Sequence, residues 1–340
     1  MWSARTPAVS NLEPHPEETL CEPATGPGPV AVLYPAREVP LGGVRGVYVE
    51  RTLPQRDLPT VGAWCFLDYF GAPSVTSSSG APPDIDPHPH IGLQTVTWPF
   101  EGMIRHRDSV GSDVRIEPGQ LNLMTSGRGI AHSEYTVPHA PAGRGLQFWV
   151  ALPGDLRDID PHFEQHRELP TYEVPGLTAT VLLGNLAGVA SPATTYTPLV
   201  GADIRIAPHT TATIPLNPEF EHALLTIRGE LTAAETELRP GPLLYLGTDR
   251  SELTLNTSEG ARFALIGGIP FGEELVMWWN FVGHSHEEVA TARRDWTDHD
   301  TARFPDIAGH SPWERIPAPP MPPLHLKPRI RAFRLDNSAR

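Results

Sequence analysis

The chain has 340 residues, 39% of them hydrophobic, and 26 basic against 40 acidic side chains give a net charge of −14. That length suits two domains of about 100–200 residues, and the acidity excludes phosphate backbones and anionic lipid surfaces as partners unless a basic patch is segregated. Cys21 and Cys65 are too few for a disulfide scaffold, no apolar run, Phe263–Phe271 included, approaches the ~20 residues of a membrane span, and the opening MWSARTPAVSNLEPHPEE lacks a secretory core; the expectation is a protein of the reducing cytoplasm.

Proline and glycine, 39 and 30 residues, remove helix interiors and favour short strands joined by turns. The opening stretch, residues 1–38, has no apolar period and reads as a loose arm. Strands follow in chain order at Gly46–Leu53, Ala63–Tyr69, Leu93–Trp98, Leu121–Met124 and Leu146–Leu152. The second half repeats the texture at Thr178–Leu183, Asp203–Ala207, Ala223–Ile227, Leu243–Leu246, Glu252–Leu255 and Phe263–Ile266. Regular short strands with turn punctuation predict an all-β fold of jelly rolls or sandwiches. One helix is expected at 286–296, opened by Ser285 and Glu288 as a capping box and carrying Val289, Ala292 and Trp296 as its apolar stripe; it is read as cover for the second half. A Pro-rich arm, residues 301–340, closes the chain.

EPGQLNLM at Glu117–Met124 resembles RPGPLLYL at Arg239–Leu246, and the FEG turn at Phe100–Gly102 resembles IRG at Ile227–Gly229. Two similar β-barrels in tandem are therefore expected, spanning 39–165 and 166–300.

One region packs histidines at ligand spacing. In DPHPHIGLQTVTW, His88 and His90 stand two apart, and in IAHSEY so do His132 and Glu134. Residues two apart on a strand share a face, so two such pairs in one small barrel can converge on a point. Three imidazoles and a carboxylate suit Fe(II), Mn, Ni, Cu or Zn. Carried over by the repeat, these four positions fall on Pro215, Asn217, Thr254 and Asn256, which make no ligand set.

The run HPHIGLQTV, then HRDS at His106–Ser109 and PGQLNLMTSGRGIAHSE at Pro118–Glu134, closely resembles the pirin family of the cupin superfamily. FLDYFG at Phe66–Gly71 and MWWNFVGHSHEE at Met277–Glu288 extend the likeness, which runs from about Val44 to Trp296. The resemblance implies two cupin barrels, the first holding a metal, typically iron, on His88, His90, His132 and Glu134. It implies quercetin 2,3-dioxygenase activity: O₂-dependent opening of a flavonol with loss of carbon monoxide, Glu134 being ligand and base for the 3-hydroxyl proton. The family also implies an alternative, a metal-dependent regulator whose protein partner is a transcription factor or metabolic enzyme, and a cupin acting on another ligand is a third reading. Where the family often has Glu, this chain has Gln94, which puts the tuning of the metal in doubt.

Other candidates carry less. His284, His286 and Glu288 form a second H-x-H/H-x-E string, but a helix would splay His286 and Glu288 about 200° apart, and capping accounts for Ser285 and Glu288. His106 and Asp108 read as partners of the ligands or plain sheet residues, Arg128 as an exposed turn residue, and Cys65 as a buried thiol.

Overall fold

The computed structural model describes residues 19–21, 26, 28–41, 47–73, 84–141 and 143–322. Gly46, residues 1–18 of the opening arm and 323–340 of the closing arm lie outside the described residues. Two antiparallel β-barrels stand in tandem. The first faces a seven-stranded sheet, in the order His162–His166, Leu121–Thr125, Leu93–Glu101, Arg144–Ala151, Trp64–Phe70, Val47–Leu53 and Arg37–Leu41, against a four-stranded one. The smaller sheet runs Ile85–His90, Ile130–Thr136, Ile104–Asp108 and Asp113–Ile116. The second barrel repeats the plan: its large sheet includes Leu177–Leu186, Leu199–Ile206, Ala261–Gly268, Glu221–Gly229 and Leu243–Gly247, and its small one Thr210–Pro215, Glu252–Thr257, Leu231–Ala233 and Thr236–Leu238.

Each large sheet is completed at one edge by a strand from a flanking segment. His162–His166 adds to Leu121–Thr125, and Pro29–Tyr34 crosses from the opening arm to add to Leu243–Gly247 of the second barrel. The arm is thus extended, as its composition predicts, but it is paired rather than loose at Thr19–Cys21, against Leu275–Met277, and again from Pro29. The physical reason is the row of unpaired amides that Leu243–Gly247 would otherwise present at a sheet edge.

Trp64–Phe70 is buried along its whole length, because one face lines the first barrel's interior and the other packs on the second barrel. Trp64 carries that contact: its Nε1 donates to the Gly267 carbonyl at 3.1 Å, and a Cβ on Gly201 would lie 2.7 Å from its ring. Across the same seam Trp98 Nε1 donates to Asp203 Oδ2 at 3.1 Å and the Gly62 amide donates to Glu221 at 2.6 Å, while Arg262 of the second barrel grips Asp203 from its own side with two nitrogens.

The second barrel's interior is filled by apolar side chains, among them Leu224, Leu244, Leu253, Leu255, Phe263 and Leu265. Thr254 and Asn256 face outward, bonded to Thr213 and Thr211. The repeat offset was one residue out of register on this strand, and a one-residue slip exchanges faces; the inward positions are Leu253 and Leu255.

The helix spans His286–Thr297 and buries Val289, Ala292 and Trp296. Ser285 Oγ caps Glu288 N, but the Glu288 carboxylate reaches back to His284 N at 2.9 Å instead of completing the box at Ser285. The apolar stripe packs with Ile85, Ile91 and Ala131 of the first barrel, together with Trp278 and Phe281, so the helix covers the first barrel, not the second. The chain then folds over it: Trp296 Nε1 donates to Ile316 O, and Ile316 N to Pro87 O, each at 2.8 Å. Among the described residues no helix is long and apolar enough to cross a membrane.

Candidate metal centre

His88 and His90 lie on Ile85–His90, paired antiparallel with Ile130–Thr136 so that His132 stands opposite His88. All three imidazoles are buried at 1–2% exposure and turn into the barrel. Their ligand atoms lie within 4.8 Å of one another, and His90 Nε2 is 3.1 Å from His132 Nε2.

The far nitrogen of each ring is fixed. His88 Nδ1 is held by Asp86 O and His90 Nδ1 by Asn280 O, both at 2.9 Å. A carbonyl only accepts, so both rings carry their proton on Nδ1 and point the Nε2 lone pair inward. For His132 the same end is reached through a relay. Asp108 Oδ1 accepts the Val110 and Ser112 amides, at 3.1 and 2.9 Å, and Oδ2 faces His106 Nε2 at 3.0 Å. His106 therefore carries its proton on Nε2, and its Nδ1, 3.4 Å from His132 Nδ1, accepts. That leaves His132 Nε2 bare. The structure thus places His106 and Asp108 behind the cluster, with His106 also stacked on Phe163 at 4.5 Å.

Two imidazole lone pairs opposed at 3.1 Å repel unless a cation lies between them, and two nitrogens bound at right angles to one ion at about 2.1 Å stand about 3 Å apart. The donor set fits a divalent transition metal. Burial pushes His88 down to about 4, and burial with neighbouring imidazoles holds His90 and His132 well below the usual range. All three are neutral at pH 7, as metal ligation requires.

Glu134 stands apart from this trio. Its carboxylate groups with His132 and His106 rather than with His88 and His90, because a bulge between His132 and Glu134 pairs Glu134 with Ile85. It lines the same cavity, and Thr97 Oγ1 lies 3.5 Å from its Oε1. Burial pushes its carboxyl above the usual range, against the pull of His106 and the Thr97 hydroxyl.

Remaining candidates lie elsewhere. Gln94 is on the opposite face of its strand from cavity-lining Thr95, and its Nε2 donates to Thr125 Oγ1 and Thr194 O; it does not touch the imidazoles. His284 contacts Leu152 O and Glu273. Arg128 pairs with Asp160 at the surface. Cys65 is buried, its Sγ 3.6 Å from the Trp149 carbonyl. Asn280 was missed by sequence reasoning, since it acts through a backbone carbonyl that no side-chain spacing reveals. The nearest signal is Gly92 (φ +65°), where a Cβ would meet Val282 O at 2.0 Å; only glycine lets the Asn280 segment approach His90.

The imidazoles face a cavity whose walls include Val49, Phe66, Ile104, Gln147 and Trp149. Phe66 and Trp149 stack at 4.0 Å on its wall, and His90 meets Trp149 edge-on at 5.2 Å. A pocket that is mostly apolar with few convergent polar groups is built for a small organic molecule.

Two predictions arise here. Asp108→Asn loses an acceptor-only partner for His106 and is expected to weaken metal affinity about 10–100-fold; a chelator-competition titration that finds wild-type affinity would contradict the relay. His222 is, like His88, pushed down to about 4 by burial. In the unfolded chain both take a proton near pH 6.5, so their stabilisation is complete above that pH and disappears as pH falls through about 4. The metal-free protein is expected to lose about 3 kcal/mol per site across that window, read as a falling denaturation midpoint; a flat midpoint from pH 7 to 4.5 would refute it.

Residues 46–150 match the family described as Pirin, and residues 201–303 match the Pirin C-terminal cupin domain. A Pseudomonas aeruginosa protein provisionally named a quercetin 2,3-dioxygenase is 44% identical over 84% of this chain and 89% of its own length. A Pirin-like protein of Caulobacter vibrioides is 36% identical over 78% of this chain and 93% of its own. The solved structure of an Acinetobacter baumannii quercetin 2,3-dioxygenase aligns with a TM-score of 0.80 at 39% identity, covering 87% of this chain and 97% of that one. With both of its barrels matched, the chain belongs to the pirin family of the cupin superfamily.

Proposed function

We propose that the protein is a metal-dependent dioxygenase that opens flavonol-type substrates with O₂ and releases carbon monoxide. His88, His90, His132 and Glu134 are its ligands, in a first domain over 39–165 with the apolar barrel at 166–300 as its packing partner, and Fe(II) is the favoured ion. The names of the Pseudomonas and Acinetobacter relatives support the reaction. The single observation that carries the reading is the convergence of three bare Nε2 atoms at the base of an aromatic-walled cavity. Such an ion supplies Lewis acidity toward a substrate hydroxyl and the one-electron chemistry that O₂ needs.

The chain's own groups do the rest. Glu134 lines the cavity beside the imidazoles, which places its carboxylate to take a phenolic proton. The Phe66–Trp149 stack offers a flat aromatic its face or edge, and the apolar walls keep water from the reacting ring.

Metal analysis of the native protein, followed by flavonol titration without and then with air, tests this. About one metal per chain, a shifted flavonol absorbance under nitrogen and its bleaching with O₂ uptake in air are expected. A metal-loaded protein that leaves the flavonol spectrum unchanged in air would overturn the proposal.

A further inference from the structure

The register of the large sheet sorts the first barrel's interior into bands. Trp149 pairs with Phe66 and with Thr95, forming the aromatic band that meets His90. Two residues along, Gln147 pairs with Asp68 and with Thr97, and Asp68 pairs with Arg51. The next inward pair, Phe70 beside Val49, is apolar again and also lines the cavity. A polar band therefore crosses an otherwise apolar wall, about 7 Å beyond the aromatic one at ~3.4 Å per residue.

Burying that band is costly unless its groups are paired. Arg51 and Asp68 satisfy each other through two bonds of 2.8 Å. Thr97 Oγ1 donates to Gln147 Oε1 at 2.8 Å, shorter than its 3.5 Å approach to Glu134. Held by its oxygen, the half-buried Gln147 carboxamide keeps its Nε2–H group for whatever occupies the cavity it lines.

We infer that Gln147 is a specificity-determining residue: oriented by Thr97, its Nε2 donates to an oxygen of the substrate's second ring system, so the site selects planar aromatics that carry a hydroxyl or carbonyl about 7 Å beyond the end facing the imidazoles. This rests on the flavonol reading and names what distinguishes one flavonol from another. Two ligands of one skeleton separate the effects: quercetin, hydroxylated on its outer rings, and 3-hydroxyflavone, which lacks those hydroxyls.

The test measures dissociation constants of the metal-loaded protein for both ligands by quenching of tryptophan fluorescence, for wild type, Gln147→Met and Gln147→Ala. Removing one neutral donor is expected to weaken quercetin about 5–10-fold and 3-hydroxyflavone less than about twofold, with metal content unchanged. Agreement of both variants, at wild-type circular dichroism, excludes misfolding as the cause. Equal weakening of the two ligands, or none, overturns the inference while leaving the flavonol reading intact. Wild-type protein that binds neither ligand overturns the flavonol reading and the inference with it.

Discussion

Replacing His132 with alanine is expected to strip the protein of tightly held metal, from about one ion per chain to less than about a tenth after dialysis. The size of the effect follows from position. His132 is the one residue common to both ligand groups, that of His88 and His90 and that of His106 and Glu134. Its Nε2 faces His90 at 3.1 Å and its Nδ1 faces His106 at 3.4 Å, so its loss removes a ligand and disconnects the relay from Asp108. Losing an outer partner alone weakens metal sites about 10–100-fold, and losing the ligand itself must exceed that. His284→Ala, at a histidine engaged by Leu152 and Glu273, is expected to leave metal content unchanged. Elemental analysis of the two variants side by side decides the matter. Metal retained by His132→Ala at the wild-type level would place the ion elsewhere.

The largest stability effect is expected at Trp64, where alanine should cost about 3–5 kcal/mol. The side chain is 0% exposed, its ring meets Phe148 edge-on at 5.2 Å, and its indole N–H is satisfied by Gly267 of the other barrel. Truncation opens a cavity in the seam and leaves the Gly267 carbonyl without that donor. Gly201 lies against the ring without a Cβ, so on that side the space has no side chain to fill it. Guanidinium unfolding followed by circular dichroism reads the loss. A decrease below about 1 kcal/mol would mean that the barrels are not knitted at this point.

Much of this was legible in the sequence because it is written in side-chain period. Every strand expected from alternation or from an apolar run has its counterpart, most extended by one to four residues where the ladder outlasts the pattern: Leu93–Trp98 becomes Leu93–Glu101, and Asp203–Ala207 becomes Leu199–Ile206. The H-x-H pair turns into the barrel because period two demands it. The match of Glu117–Met124 to Arg239–Leu246 is borne out by Leu121–Thr125 and Leu243–Gly247, each pairing with the long central strand of its own barrel.

What escaped has one common cause: it depends on backbone atoms or on partners remote in the chain. Asn280 holds His90 by a carbonyl. Asp113–Ile116 alternates polar and apolar over only four residues, a run too short to announce a strand without its partner Ile104–Asp108. Glu134 is set off from His88 and His90 by a bulge, which is a property of pairing rather than of spacing. The helix announced its apolar stripe but not the surface that would receive it, since Ile85, Ile91 and Ala131 lie about 160 to 210 residues upstream of that stripe.

The paired segment Pro29–Tyr34 bears on how the molecule is made. Its partner Leu243–Gly247 leaves the ribosome about 200 residues after it, a delay of roughly 10–40 s at translation rates of about 5–20 residues per second. The amino-terminal barrel can close during synthesis while this short apolar ribbon, with Val32 and Leu33, waits as an unpaired edge open to mispairing. Separately expressed halves would inherit the problem in permanent form, since a fragment beginning after Tyr34 lacks the border strand that its own carboxy-terminal barrel requires.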